Sequence, residues 1–351
     1  MAAYNAEQYL QPSIQSLLAQ SLRDFELIIV EDGSKDNTFD ILNELQRQDK
    51  RVRVIRNEQN IGLAASLNRG IQAARAALIA RADADDVYDP KRLELQCTFM
   101  QDHPEVTVVG SAVTFISSDG RTLSQSADTT FPVTADDVRL HSLLGCCLWH
   151  TTVMFRKTAI QNIGGYNTEF RGGPEDYDLW SRLLNDHKLV NISETLAQVR
   201  LHISSVTANW NKGLEMFCGV SATLIRSYIG TAVDSESVEA LVTMCSYGGD
   251  ITQRDHEKGL ELLRKVLAAA REREATAVYR KFRRKCAMSL VQRSSELVYR
   301  APNLAWKLLR HAFMVDPSIR LMPGILRAVA RLSCPSWLRS TARSIMSNAK
   351  Q

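Results

Sequence analysis

Two hydrophobic rhythms alternate along the first two hundred residues. Residues 25–30, 52–55 and 78–82 are short apolar runs that predict buried strands. Between them apolar positions recur at helical spacing, at Ile14, Leu17 and Leu18 after Pro12, then over 38–48 and over an Ala-rich stretch from about 63 to 76. The chain therefore opens on a loop through Leu10 and enters a helix near Pro12. Turns fall at Glu31-Asp-Gly-Ser34 and Asn60-Ile-Gly62, and Asp36-Asn-Thr38 supplies a helix cap. Strands alternating with helices of this length predict an α/β fold of βαβ units, a mostly parallel sheet flanked by helices. Ligands of such sheets sit at the carboxyl ends of the strands. Asp32 and Asp83 each follow a strand, so two carboxylate-bearing loops should line one crevice, and a nucleotide is the usual occupant.

Further along, residues 104–116 predict a strand pair or one bent strand, and Ser118-Asp-Gly120 a hairpin turn. Residues 149–156 are strand-like, a short helix ends at Gly164-Gly165, and 171–176 is a loop. An amphipathic helix over 177–185 carries Leu179, Trp180, Leu183 and Leu184 on its apolar side. From Lys258 onward helical spacing returns, and Pro302, Pro317 and Pro323 divide it into helices of roughly 10 to 20 residues.

Composition adds an asymmetry. The 351 residues are 45% hydrophobic, enough for one large domain or two ordinary ones. No run of about 18 uncharged apolar residues is present, which places the chain in the cytoplasm. The seven cysteines form no CxxC pair, so neither a disulfide framework nor a thiolate zinc site is indicated. Net charge is +4, but residues 211–351 carry +11 and residues 1–210 carry −7. That split predicts two modules, a catalytic body over 1–210 and a basic helical region over 211–351. From Lys258 to the end there are 20 Lys or Arg against five acids. Such a run reads either as solvated helix faces or as peripheral docking on an anionic membrane. Nucleic acid is not expected, because no recognition motif accompanies the arginines.

Two acidic places carry candidate chemistry. Asp83, Asp85 and Asp86 lie within four residues and would repel one another unless a cation sat among them. A hard divalent ion with open positions for phosphates suits such a group, and a solvated acidic turn is the plain alternative. Glu175 and Asp176 stand at a helix start, where capping alone explains acids in most proteins. His202 falls in a short stretch with hydroxyls, and a lone His is more often structural than a ligand.

The order and spacing of eight pieces resemble the family 2 glycosyltransferases: Ala3-Tyr-Asn-Ala-Glu-Gln-Tyr-Leu10, Val30-Glu-Asp-Gly-Ser-Lys-Asp-Asn-Thr38, Asn60-Ile-Gly62, Ala80-Arg-Ala-Asp-Ala-Asp-Asp-Val-Tyr-Asp-Pro90, His150-Thr-Thr-Val-Met-Phe-Arg156, Gly164-Gly-Tyr-Asn167, Glu175-Asp-Tyr-Asp-Leu-Trp-Ser-Arg-Leu183 and Arg200-Leu-His-Ile-Ser-Ser-Val-Thr207. The resemblance covers 1 to about 210. It implies the GT-A fold and an inverting enzyme that moves a sugar from a nucleoside-diphosphate sugar, with UDP as nucleotide, to a glycan or lipid-linked acceptor in polysaccharide biosynthesis. Carried onto this sequence, it places Ala3, Tyr4, Asn5, Asp32, Asn60, Gly62, Arg81 and Asp83 around the nucleotide-sugar, with Tyr4 and Asp32 against the base. Asp85, with its DxD partner Asp83, and His202 would serve a divalent metal, Mn²⁺ or Mg²⁺. Asp176 would be the general base, with Glu175 beside it and His150 and Trp180 on the acceptor side. Set against the resemblance, the family's first apolar strand is missing ahead of Tyr4-Asn5, which predicts either a start upstream of Met1 or a truncated product. Two other readings remain, a sugar nucleotidyltransferase, which would carry an early Gly-rich phosphate loop, and a catalytically inactive homologue acting as a binding subunit.

Overall fold

The computed structural model describes residues 1–125, 131–170, 173–202, 213–245, 252–322, 325 and 329. Its contacts divide the chain into two compact units, Met1–Ser142 with Cys146–Val220, and Leu143–Gly145 with Ser221–Gln351.

The first unit begins β1 (Ala2–Ala3), α1 (Glu7–Leu18), β2 (Leu27–Glu31), α2 (Thr38–Gln48), β3 (Val52–Arg56) and α3 (Leu63–Ala73). The first helix starts earlier than periodicity predicted, and Pro12 lies inside it. Leu10, Ile14 and Leu17 form its buried face. Every residue of β2 is buried, as expected of a strand covered on both sides. β1, β2 and β3 pair in parallel, with Ala2 opposite Val30 and Leu27 opposite Val52.

The second sheet departs from the mostly parallel expectation. It contains β4 (Leu78–Ala80), β5 (Val87–Tyr88), β6 (Val106–Ser117), β7 (Thr122–Gln125), β8 (Met154–Arg156) and β9 (Lys188–Leu201). The order is β4-β8-β6-β9-β5 with β7 also on β6. Only β6 and β9 run in parallel; the other pairs are antiparallel. The turn at Gly120, with φ +85°, joins β6 to β7 as a hairpin, and a hairpin can only be antiparallel. Residues 104–116 resolve as one long strand whose register on β9 shifts more than once. Helices α4 (Arg92–Asp102), α5 (Ala135–His141), α6 (Lys157–Asn162) and α7 (Glu175–Leu183) complete this unit.

An apolar cavity of about 220 Å³ lies beside β2 and β4, lined by Leu27, Ile28, Leu67, Ile71, Leu78 and Ala80 among others. The Met1 ammonium is buried there and donates to the Ile28 carbonyl at 3.0 Å. Burial, with help from the nearby Arg81 charge, pushes its pKa down to about 5.

In the strand-like stretch 149–156, a 3-10 turn occupies His150–Thr152 and only Met154–Arg156 is strand. Both the amide and the hydroxyl of Thr152 donate to the Trp149 carbonyl at 2.8 Å. A threonine that bonds its own backbone in this way competes with the sheet ladder. The turn decides where His150 and Thr151 point.

The second unit is helical. It holds part of α8 (Leu214–Ile229), then α9 (Ser235–Cys245), α10 (Gln253–Arg273), α11 (Thr276–Leu297) and α12 (Pro302–Val315), followed by a 3-10 turn at Pro317–Leu321. Thr252 and Asp255 form a capping box at the start of α10. Pro302 opens α12 at a position where a missing N–H costs nothing. Pro323 lies outside the described residues, as do 203–207 of the predicted Arg200–Thr207 piece.

Candidate active site

Loops at the carboxyl ends of β1 and β2 are laced together. Asn5, at φ 47°, donates its amide to Ser34 Oγ at 3.0 Å, and its side-chain oxygen accepts from Lys35 N at 2.9 Å. Ala6 N donates to Thr38 Oγ1 at 2.8 Å, and Glu7 accepts from Asn37 N at 2.9 Å. Tyr4 stands out from this lacing, 45% exposed, with its ring free to meet a ligand. Asp32 is buried behind it. Its carboxylate accepts from Asn57 Nδ2 at 2.6 Å and from the amides of Ile61 and Gly62 at 2.9 Å. Asp32 therefore shapes the Asn60-Ile-Gly62 turn directly, whatever else its remaining lone pairs reach. Ala3 is buried, and its carbonyl accepts from Asp32 N at 2.9 Å.

The acidic loop leaves β4 and is held from three sides. Tyr88 Oη accepts from Asp83 N at 2.5 Å and meets Thr151 Oγ1 at 2.6 Å. Arg200, on β9, donates its amide to Asp86 Oδ1 and its Nε to the Asp85 carbonyl, each at 2.9 Å. Arg81, buried at 4% exposure, ion-pairs with Asp83. Asp85 turns its carboxylate to His202, Oδ2 to Nε2 at 2.8 Å. Burial, then the Asp83 charge, raises the Asp85 pKa, with His202 acting against them. Burial, then Asp83 and Asp85, pushes Asp86 up to about 8. These groups carry more negative charge than the loop's own cations relieve.

Glu175 and Asp176 occupy the first turn of α7. Asp176 Oδ1 accepts from Tyr177 N at 2.7 Å, and its Oδ2 lies 3.7 Å from Cys146 Sγ. Burial raises its pKa against the pull of the Tyr177 amide and the Arg81 charge. Glu175, 6% exposed, is pushed up to about 7 by burial and then by Asp176. His150 Nδ1 lies 3.8 Å from Glu175, while its Nε2 shares a 2.7 Å hydrogen bond with Tyr166 Oη. Burial and the Arg81 charge hold His150 well below its ordinary pKa, so it meets Glu175 as a neutral ring and not as an ion-pair partner. Arg81 is thus the buried cation felt by both acidic places: by Asp83 through contact, and by Glu175 and Asp176 through space.

Among the described residues no three His, Cys or carboxylate side chains converge on one point. Asp85 and His202 nevertheless fit a divalent ion that keeps most positions for water and phosphate oxygens, as Mg²⁺ and Mn²⁺ do at phosphate sites. The excess charge at Asp85 and Asp86 is the observation in favour, since a cation there would lower both pKa values. At the other place, a carboxylate whose pKa burial raises, set at a buried helix start, is suited to taking a proton.

The family model described as "Glycosyl transferase family 2" matches residues 1–164. The O-antigen biosynthesis glycosyltransferase WbnJ of Escherichia coli is 34% identical over 214 residues, 58% of this chain and 79% of WbnJ. This chain is a family 2 glycosyltransferase. Among solved structures, Staphylococcus aureus TarS 1-349 in complex with UDP-GlcNAc aligns at a TM-score of 0.55 and 18% identity, over 91% of this chain and 90% of that one. The mannosyltransferase PcManGT of Pyrobaculum calidifontis, in complex with GDP-Man and Mn²⁺, aligns at 0.52 and 13% identity, over 92% and 85%. At such identity the likeness shows the fold, which is GT-A with a helical C-terminal region.

In this glycosyltransferase the structure brings Asp85 and His202 together across the fold, and gathers His150, Glu175 and Asp176 at the head of α7. Trp180, expected on the acceptor side, lies against His150. At 1% exposure it is a core residue, packed edge-on beneath His150 with ring centroids 6.3 Å apart. Its helical spacing with Tyr177 and Leu183, both buried, was the signal for that role. Arg200, Tyr88, Thr151, Tyr166 and Cys146 support the site without having been singled out by sequence. Arg200 lies near the end of β9, whose pairing with β6 spans about 80 residues of chain, and sequence marked it only as the first residue of a family-like piece.

Proposed function

We propose that the glycosyltransferase moves a sugar from a nucleoside-diphosphate sugar, a UDP-sugar, to an acceptor hydroxyl with inversion at the anomeric carbon. The acceptor is a glycan or a lipid-linked glycan of a growing cell-surface polysaccharide. Residues 1–210 carry the chemistry, and the basic helices of 211–351 rest peripherally on the inner face of the membrane where such an acceptor waits. The observation that carries this reading is the pair of acidic places on either side of the buried Arg81, one fitted to hold a leaving diphosphate and one to take a proton.

Asp85 and His202 would hold the divalent ion, which supplies Lewis-acid stabilisation of charge on the departing diphosphate. Tyr4 offers a ring face to the nucleotide base, and Asp32 with the Asn60-Ile-Gly62 turn closes the base pocket. Asp83, anchored on Arg81 and one-third exposed, faces the ribose or sugar. On the acceptor side Asp176 accepts the proton of the attacking hydroxyl; the oxygen lone pair attacks the anomeric carbon as the bond to the diphosphate breaks. A single base and one in-line displacement invert the centre without a covalent intermediate. Glu175, part protonated near neutrality, donates to or accepts from the acceptor beside the base. Its proton also keeps two adjacent buried carboxylates from being charged together.

The test is turnover of a panel of UDP- and GDP-sugars with Mn²⁺ in the wild type, Asp176→Asn and Asp85→Ala. Asp176→Asn should lose about 10²- to 10⁴-fold in kcat while binding donor normally. Asp85→Ala should lose the Mn²⁺ dependence of donor binding. A wild type that turns over no donor in the panel would point to a binding subunit instead.

A further inference from the structure

Helix α12 presents two different faces. Leu304, Ala305, Leu308, Leu309 and Ala312 are buried, and Ser294 Oγ of α11 donates to the Ala305 carbonyl at 2.8 Å, so that face is occupied by α11. On the other side Trp306, Arg310 and Met314 follow one another at a spacing of four, which puts them on one stripe. Trp306 is 41% exposed and Met314 60% exposed, and Lys307 and Arg310 are exposed with them. Single exposed apolar side chains are ordinary; two large ones on one stripe with cations between them are not.

The sequence that holds this stripe is strongly basic, and its described cations are Arg300, Lys307, Arg310 and Arg320. Residues 297–351 contain nine Lys or Arg and a single acid, Asp316. That acid is buried and accepts from Arg283 Nη2 at 3.2 Å. The nearest acid before α12 in sequence, Glu296, accepts from Arg293 at 2.5 Å. Just beyond the helix, Arg320 lies over the Phe313 ring, 5.6 Å from its centroid. The stripe therefore asks for a partner that is negative and also offers an apolar layer at the same depth. An anionic bilayer does both. Indole settles at headgroup level, a thioether reaches the acyl boundary, and Lys and Arg extend to the phosphates. A nucleic acid supplies the charge but no layer for Met314. No helix among the described residues is long and apolar enough to cross a membrane, so α12 would lie along the surface.

We propose that the Trp306–Arg310–Met314 face of α12 docks on an anionic phospholipid surface, with Trp306 and Met314 entering the interface and Lys307 and Arg310 paired with headgroup phosphates. This surface rests on no part of the catalytic assignment; a chain silent on every donor would dock equally, and an active one that fails to dock would leave the catalytic reading standing.

Vesicle flotation of the full chain tests it, comparing neutral phosphatidylcholine with vesicles containing about 30% phosphatidylglycerol. The wild type should float with the anionic vesicles only, and less as salt rises. Arg310→Gln should weaken partitioning about five-fold, the expectation for one basic residue near such a surface. The double variant Trp306→Ser, Met314→Ser should weaken it about ten-fold or more. Brominated lipid should quench a fraction of the wild-type tryptophan emission that is lost in Trp306→Phe. All these side chains are exposed, so helix content by circular dichroism should match the wild type, which separates loss of docking from loss of fold. The proposal is overturned by equal flotation on neutral vesicles, by no flotation at all, or by variants that float like the wild type.

Discussion

Replacing Glu175 with Gln removes a charge that the fold holds at a disadvantage, and the size of that disadvantage can be worked out. Glu175 ionises near pH 4.5 when free and is pushed up to about 7 in the folded chain, by burial and then by Asp176. A raised carboxylate favours the folded state fully below its unfolded pKa and loses that contribution as pH rises through the folded value. The shift corresponds to roughly 3 kcal/mol lost between about pH 4.5 and pH 7. Glu175→Gln keeps the shape and cannot titrate. Its stability relative to wild type should therefore rise by about 3 kcal/mol between pH 5 and pH 8. Urea unfolding at both pH values in EDTA reads this out, and the difference between variant and wild type cancels the other groups that titrate in the window. A variant whose stability relative to wild type is the same at pH 5 and pH 8 would refute the placement of Glu175 as a buried, raised acid.

Other substitutions probe the same physics from different sides. Arg81→Gln removes the cation that steadies both acidic places; it should cost about 2 kcal/mol, tempered by the water that reaches Asp83, and move the acid limb of kcat/KM to higher pH. Loss of stability without that pH shift would make Arg81 purely structural. Gly70 lies inside α3, where an added Cβ would sit 3.6 Å from Val30 Cγ2, an ordinary contact, so Gly70→Ala should stabilise by about 0.5–1 kcal/mol in urea titration. Gly259 of α10 differs: a Cβ there would come within 2.9 Å of the Ala240 backbone, so Gly259→Ala should destabilise by about 1–3 kcal/mol. If both alanines act alike, the close approach of α10 to Ala240 is wrong.

What the sequence disclosed and what it withheld divide along chain separation. β2, β3 and their helices were legible because periodicity is a local signal, with Leu10, Ile14 and Leu17 sharing a face within three turns, whereas the two-residue β1 falls where a loop was expected. The 3-10 turn at His150–Thr152 was hidden because it depends on where one hydroxyl bonds. The mixed second sheet was hidden because β6 pairs in parallel with a strand about 80 residues away. Trp180 carries two signals at once, the motif that surrounds it and the helical stripe that buries it.

The site sits where those limits meet, and charge explains why part of it could still be read. Asp83, Asp85 and Asp86 are close in sequence, so their mutual repulsion is legible there, and spacing alone offers either a cation among them or a solvated turn. The groups that answer that repulsion are distant: His202 meets Asp85 across 117 residues and Arg200 meets Asp86 across 114. Asp176 is the converse. Nothing local makes it different from a capping acid, since its amide contact with Tyr177 is what any acid in a first turn can form. Its environment comes from afar, through burial, Cys146 across 30 residues and the Arg81 charge. Spacing can therefore reveal a problem of charge, while only the fold reveals how it is resolved, and a base is defined by the resolution. That is why the charge problem at Asp85 was visible in the sequence, and why the assignment of Asp176 needs the pH profile of Arg81→Gln to move to higher pH.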